Sequence, residues 1–351
     1  MDLTPYTKLA DALNLRNMTL PSVPIEEFYK LVQELFTPEE AEIACAMPAG
    51  YSSIEQIAAK LPGMSTDELD PKLETMADKF VIEIRESNGK KSYELLPFIP
   101  GITELTSLSG FDNEHAIKVN KLVGEYISAL EKMAASAPTA EHVPADTAKT
   151  VSVEKDVTHK SAVVPLKELK ELLVNTAYIG AGICMCRRWG ELQNNPCKAP
   201  QDNCLVLGQS AKFAIGRGVI KRITSEEAIR RMEAADKAGL IHSYSNDPDQ
   251  FVNLLCSCCQ CHCTIVQAVK KAPVPSEIIT ARYVAEIDED NCTACESCID
   301  RCQMEALKMK DGKLTFNAIR CLGCGLCAYV CPTEAISLKP LEASKIPLAK
   351  C

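Results

Sequence analysis

Two cysteine runs near the C-terminus constrain this chain more than any other feature. From Cys292 the sequence reads C-T-A-C-E-S-C-I-D-R-C, and from Cys321 it reads C-L-G-C-G-L-C-A-Y-V-C, followed by Pro332. Each run is C-x2-C-x2-C-x3-C. Three thiolates this close in sequence wrap three iron corners of one cubane, while the x3 step carries the fourth toward another cluster. The spacing predicts one ligand set of Cys292, Cys295, Cys298 and Cys331, and a second of Cys321, Cys324, Cys327 and Cys302. Zinc ribbons also use C-x2-C pairs, but two pairs complete a zinc site and leave the tripled spacing and the trailing Cys-Pro unexplained. Ala294, Gly323 and Gly325, beside the ligands, let backbone N–H groups approach cluster sulfur.

On these residues, the segment from about Arg282 to Lys339 resembles the two-cluster, eight-iron bacterial-type ferredoxin family, and all eight ligands map onto cysteines. The resemblance implies two [4Fe-4S] clusters and single-electron chemistry.

A chain of 351 residues, 46% hydrophobic, is long enough for two or three domains. Nineteen cysteines are far more than ordinary usage. The start, M-D-L-T-P-Y-T-K, has no basic segment leading into an apolar one, and no apolar run reaches membrane-spanning length. The expected compartment is a reducing cytoplasm, where thiols serve metals. A net charge of −9 argues against general affinity for nucleic acid or anionic lipid, so the expected partners are proteins.

At the N-terminus, Ile25–Phe36 places apolar residues at helical spacing, and Thr37-Pro38 caps a second helix. Ser53–Leu61 reads as a short helix, and Ser65 with Glu68 forms a capping box for a helix to about Lys79. Two alternating strands follow around Asn88-Gly89. Helices followed by a hairpin resemble the winged-helix fold, which suggests DNA binding. The helix that would enter the groove, however, carries Asp67, Glu68, Asp70, Glu74 and Asp78, and carboxylates there would meet phosphates. We therefore expect a protein-docking module, for a redox partner or a second copy of the chain. Its removal near Gly110 is expected to leave the metal sites intact. After Pro97, F-I-P-G-I-T-E-L looks irregular, Asn113–Ala135 is a long amphipathic helix, and Ser136–Val164 has linker composition.

The helix expected over Pro165–Ala177 leads into a second cysteine region. Cys184, Cys186, Cys197 and Cys204 come first; Cys256, Cys258, Cys259, Cys261 and Cys263 follow a helix closed by Gly239. Neighbouring Cys258 and Cys259 point in different directions in any regular backbone, so the second string divides between sites or joins ligands from the first. One or two further iron–sulfur clusters are the expected occupants. Structural zinc, with His262 completing a site, is the alternative, although His262 reads more naturally as a bystander. Arg187 and Arg188 either offset thiolate charge or form a solvated turn, and Trp189 reads as packing.

The order of C-M-C-R, a helix ending in G-L-I-H, a dense cysteine string and a ferredoxin module resembles anaerobe-type 4Fe-4S dicluster electron-transfer proteins with a winged-helix-like N-terminus. The expected fold is thus α+β and multidomain. It comprises a winged-helix-like domain (1–110), a long helix and linker (111–164), a cysteine-rich α/loop middle domain (165–281), a two-cluster ferredoxin domain (282–340) and a tail (341–351). Neither G-A-G-I-C nor G-R-G-V-I has the context of a nucleotide-binding fingerprint. The expected function is low-potential relay of single electrons, as a subunit or adaptor of a larger cytoplasmic, anaerobic oxidoreductase rather than a free-standing enzyme. The alternatives are an iron–sulfur enzyme with a substrate-binding middle cluster and a redox-sensing transcriptional regulator.

Overall fold

The computed structural model describes residues 2–16, 21–108, 114–136, 161–163, 166–245, 254–272, 280–281 and 283–341. The expected linker lies outside the described residues from 137 to 160, as does the tail beyond Leu341.

The N-terminal unit begins with helices at Thr4–Asn14, Glu26–Leu35, Pro38–Ala46, Ile54–Ala58 and Thr66–Asp78. Thr37, Ser53 and Ser65 each close a capping box with the residue three positions on, which sets where the last three start. Strands β1 (Ile82–Ser87) and β2 (Lys90–Leu95) then pair antiparallel. Asn88 and Gly89 both take positive φ, at 52° and 72°, as a two-residue hairpin turn of matching twist requires. A bridge from Ser52 to Tyr93 adds a third chain segment beside β2.

The stretch after Pro97 is not irregular. Phe98–Ile102 forms a π-helical turn and Thr103–Ser107 an α-helix. Burial of Phe98, Ile99, Ile102 and Leu105 drives this, and Glu104 Oε2 accepts from Gly101 N at 2.6 Å. The long helix, Glu114–Ser136, lies against Glu26–Leu35, and its Tyr126 hydroxyl donates to Pro21 O at 2.8 Å.

The middle region is built on a sheet, not on helices and loops alone. Its strands are β3 (Ser161–Val163), β4 (Ile179–Gly182), β5 (Cys204–Leu207), β6 (Lys221–Arg222), β7 (Ile241–Ser245), β8 (Leu254–Cys258) and β9 (Thr280–Ala281). They lie in the order β6-β4-β5-β8-β7-β3-β9, antiparallel except for the β3–β9 pair. Every residue of β5 is buried, so it lacks the alternation that would reveal a strand, and the strands are too short to separate from loop by length.

One hydrophobic core joins the N-terminal unit to this sheet. Leu73, Phe80, Leu105 and Leu108 share a buried cluster with Met185, Val206, Ala211 and Leu254, and Cys184, Cys186 and Cys256 pack against it. The rings of Phe80 and Phe213 meet edge-on at 5.6 Å. Arg217 pairs with Glu74 Oε2 at 2.8 Å and with Asp78, so the acidic helix faces the chain's own middle region. Trp189 packs on the long helix where Gly124 leaves room, since a Cβ there would lie 2.0 Å from the indole.

The C-terminal unit pairs β10 (Tyr283–Ile287) with β13 (Ile336–Pro340) and β11 (Leu307–Lys310) with β12 (Lys313–Phe316), all antiparallel. It docks on the middle region through apolar contact of Met304, Leu322 and Leu326 with Ile241, Val266 and Val269. Arg301 donates to the carbonyls of Asp236 (2.9 Å) and Lys237 (2.6 Å), capping the C-terminal end of the Ser225–Lys237 helix. Arg320 reaches Lys270 O at 2.7 Å.

Candidate metal centres

The two C-terminal runs surround two cavities. One is lined by Cys292, Cys295, Cys298 and Cys331. The other is lined by Cys302, Cys321, Cys324 and Cys327, with Ile241 of the middle sheet in its wall. Each cavity thus takes three cysteines from one run and one from the other.

The backbone repeats itself around them. Ala294 and Glu296 in the first run, and Gly323 and Gly325 in the second, all have positive φ, as do Glu305 and Glu334, each three residues past the fourth cysteine. Left-handed residues turn peptide N–H groups inward. Gly323 N lies 3.4 Å from Cys321 Sγ, and Ala306 N lies 3.3 Å from Cys302 Sγ. Gly323 is also required sterically, because a Cβ would sit 2.1 Å from Tyr283 O. All-thiol donor sets, apolar walls and N–H groups aimed at sulfur fit iron–sulfur clusters.

The two cavities differ in exposure. Burial raises the thiols of Cys324 and Cys327, the latter to about 12. Cys295, which is exposed, is held low by the Ser297 N–H. At Cys331 burial pushes upward but is outweighed by hydrogen bonds from Thr333 and from the N–H groups of Ala335 and Ile336. The Cys302 cavity is therefore the inner one and the Cys292 cavity the outer one.

In the middle region the structure separates the nine cysteines into two groups. Cys184, from the end of the β4 loop, and Cys186, on the Met185–Leu192 helix, meet Cys258 at the end of β8 and Cys263 at the start of the next helix. Cys256 extends this inner group to Cys204. The thiols of Cys184, Cys186, Cys256, Cys258 and Cys263 are raised well above the ordinary value. At Cys184 and Cys256 the largest cause is the hydrogen bond to the next thiol, Cys186 and Cys204 respectively, and burial adds to it. Crowded buried thiols do not ionise unaided; coordination to a metal deprotonates them.

The second group holds Cys197, Cys259, Cys261 and His262, whose ligand atoms all lie within 4.8 Å of one another. His262, expected as a bystander, is thus among the thiols. Cys258 and Cys259 face different groups, and so do Cys261 and Cys263.

Arg187 and Arg188 also part. Arg187 is 1% exposed, donates to Ser257 O at 2.7 Å and to Asn203 Oδ1, and lies beside Cys184, Cys259 and Cys258. Burial opposes its charge, but those sulfurs outweigh it and raise its affinity for the proton. Arg188 instead pairs with Glu191 at 2.9 Å. Sequence reasoning missed Asn203, Ser257, His242 and Asp236. His242 is buried with Nε2 3.0 Å from Asp236 Oδ1 and Nδ1 3.1 Å from Ser257 Oγ. A polar triplet spread from Asp236 to Ser257 on separate elements leaves no spacing signal.

Residues 285–338 match the family described as the 4Fe-4S dicluster domain, and this C-terminal unit is a ferredoxin-type [4Fe-4S] domain. The chain is similar to an uncharacterized ferredoxin of Methanocaldococcus jannaschii, 39% identical over 59 residues, covering 16% of this chain and 39% of that protein. It is similar to hydrogenase-4 component A of Escherichia coli, 34% identical over 87 residues, covering 24% of this chain and 39% of the relative. A third relative is the pyruvate synthase subunit PorD of Thermotoga maritima, 38% identical over 55 residues, covering 15% of this chain and 56% of the other. The chain spans less than two thirds of each relative's length. Among the described residues, no helix is long and apolar enough to cross a membrane.

Proposed function

We propose that this chain relays single electrons as a subunit or adaptor of a larger oxidoreductase. The observation that carries the reading is the pair of cavities, each lined by three cysteines of one run and one of the other, with the inner cavity walled by Ile241. When bound, [4Fe-4S] clusters accept and release one electron at a time. Cys321, Cys324, Cys327 and Cys302 would hold the inner one, and Cys292, Cys295, Cys298 and Cys331 the outer one. Ile241 pairs in register with Cys258, so the inner cavity abuts the middle thiols. We assign a further cluster to Cys184, Cys186, Cys258 and Cys263, with Cys256 and Cys204 beside it. Arg187 offsets its negative charge, and the shared N-terminal core keeps water from it. The outer set, with exposed Cys295, gives the relay a surface end where a protein partner docks.

The relatives support this reading, since their names place them among ferredoxins and subunits of hydrogenase and pyruvate synthase. The N-terminal helices and hairpin read as winged-helix-like, and the pairing of middle-region Arg217 with Glu74 and Asp78 of the acidic helix favours protein contact over duplex contact. Anaerobic affinity purification from the native host tests the proposal. An oxidoreductase should co-purify in fixed ratio and reoxidise the chemically reduced chain. Turnover of a small substrate by the chain alone, or tight binding to one DNA sequence, would overturn it.

A further inference from the structure

We propose that Cys197, Cys259, Cys261 and His262 form a mononuclear site for one zinc ion, distinct in kind from the iron–sulfur ligand sets. The first argument is distance. Around a tetrahedral zinc with Zn–S of about 2.3 Å, two thiolates stand about 3.8 Å apart. Cys261 Sγ and Cys197 Sγ lie 3.5 Å apart, and all four ligand atoms fall within 4.8 Å of one another. Thiolates of a cubane each bind their own iron, so they stand farther apart than ligands of a single ion. Among the described residues, no other set of three or more Cys, His, Asp or Glu side chains converges so closely. The two ferredoxin sets, in the same chain, do not.

The second argument is the imidazole. Both ring nitrogens of His262 are buried and lack a hydrogen-bond partner in the protein. Burying an unpartnered polar atom is costly, and a metal bond at one ring nitrogen removes that cost there. The chain makes room for the ring at Gly190, where a Cβ would lie 2.2 Å from His262 Cδ2 and 2.3 Å from Nε2. Three thiolates on a divalent ion leave one net negative charge, and the buried Arg187 lies beside Cys259.

The site ties the loop after the Met185–Leu192 helix to the turn between β8 and the Thr264–Lys271 helix. Gln267 Nε2 steadies that turn by donating to Cys261 O at 2.8 Å. Cys258 and Cys263 bracket the turn and face the other way, so the ion would fix the backbone from which they reach the inner group.

The test uses the full chain prepared anaerobically, with zinc and iron counted by mass spectrometry and the zinc environment read by X-ray absorption. The expected result is one zinc per chain, with three sulfurs at about 2.3 Å and one nitrogen at about 2.0–2.1 Å. Cys261→Ser, at an exposed thiol, should remove the zinc and leave iron unchanged. Gly190→Ala, which displaces the ring, should weaken zinc about 10–100-fold, and His262→Cys should retain zinc with a four-sulfur shell. Loss of iron in Cys261→Ser would show a cluster site, and zinc unaffected by Cys261→Ser and Gly190→Ala would show an adventitious ion; either overturns the proposal.

Discussion

Replacing Glu83 by Gln should stabilise the N-terminal unit at neutral and alkaline pH and do little in acid. Glu83 is 1% exposed on β1, directly opposite Glu94 of β2, with Arg85 Nε 3.6 Å from its Oε1. Burial raises its carboxyl from 4.5 to about 7; the Arg85 charge opposes that rise and Glu94 adds to it. The folded protein therefore keeps this proton up to about pH 7, whereas the unfolded chain releases it near 4.5. Between those values the unfolded state binds fewer protons, so stability falls as pH rises. The full loss, reached above the folded value, is about 3 kcal/mol at about 1.4 kcal/mol per tenfold change in proton affinity. Glutamine mimics the protonated form and escapes the loss. Amide hydrogen exchange in β1 and β2, followed across this pH range, should show wild type and variant alike below the unfolded value. Above the folded value the variant should open less often. A variant equally protected at every pH, or one whose advantage is larger in acid, would refute the reasoning.

Cys302→Ser should remove iron from the inner cavity, not from the set that includes its own run, as read by spectra of Cys292→Ser and Cys321→Ser controls. Gly323→Ala should cost about 1–2 kcal/mol for its left-handed backbone alone, and the Tyr283 carbonyl 2.1 Å from the added carbon should make inner-cluster loss on mild heating clearly faster. Deleting residues 1–108 should expose Cys184 and Cys186, because the core covering them comes from that segment. Alkylation of both should accelerate while Cys302 and Cys324 are unaffected.

The C-terminal unit was legible because cubane ligation fixes spacing in the linear sequence: short x2 steps set the left-handed turns at Ala294, Glu296, Gly323 and Gly325. Helix starts at Thr37, Ser53 and Ser65 were legible for the same local reason. The middle sheet was not. Its central strands β4, β5 and β8 are short and mostly buried, with glycine and cysteine where β-branched residues would advertise a strand, as in I-G-A-G at β4. The sorting of nine cysteines into two groups depends on how β5 and β8 pair, which no local pattern reports. The His262 position was hidden too, since its room comes from Gly190, far away in sequence. The core shared by residues 1–110 and the middle sheet was hidden as well, because Phe80, Leu105 and Leu108 look the same whether they face their own helices or a neighbouring sheet.

The shared lining of the two C-terminal cavities bears on how the protein matures. During synthesis the first run emerges with three of its four cysteines for the outer cavity, and Cys331 arrives almost at the end of the domain. Neither half-motif is complete by itself, so insertion of inorganic iron and sulfide waits for the whole unit to close. Each centre depends on both runs, so a nascent or clipped chain lacking the second run is expected to hold neither.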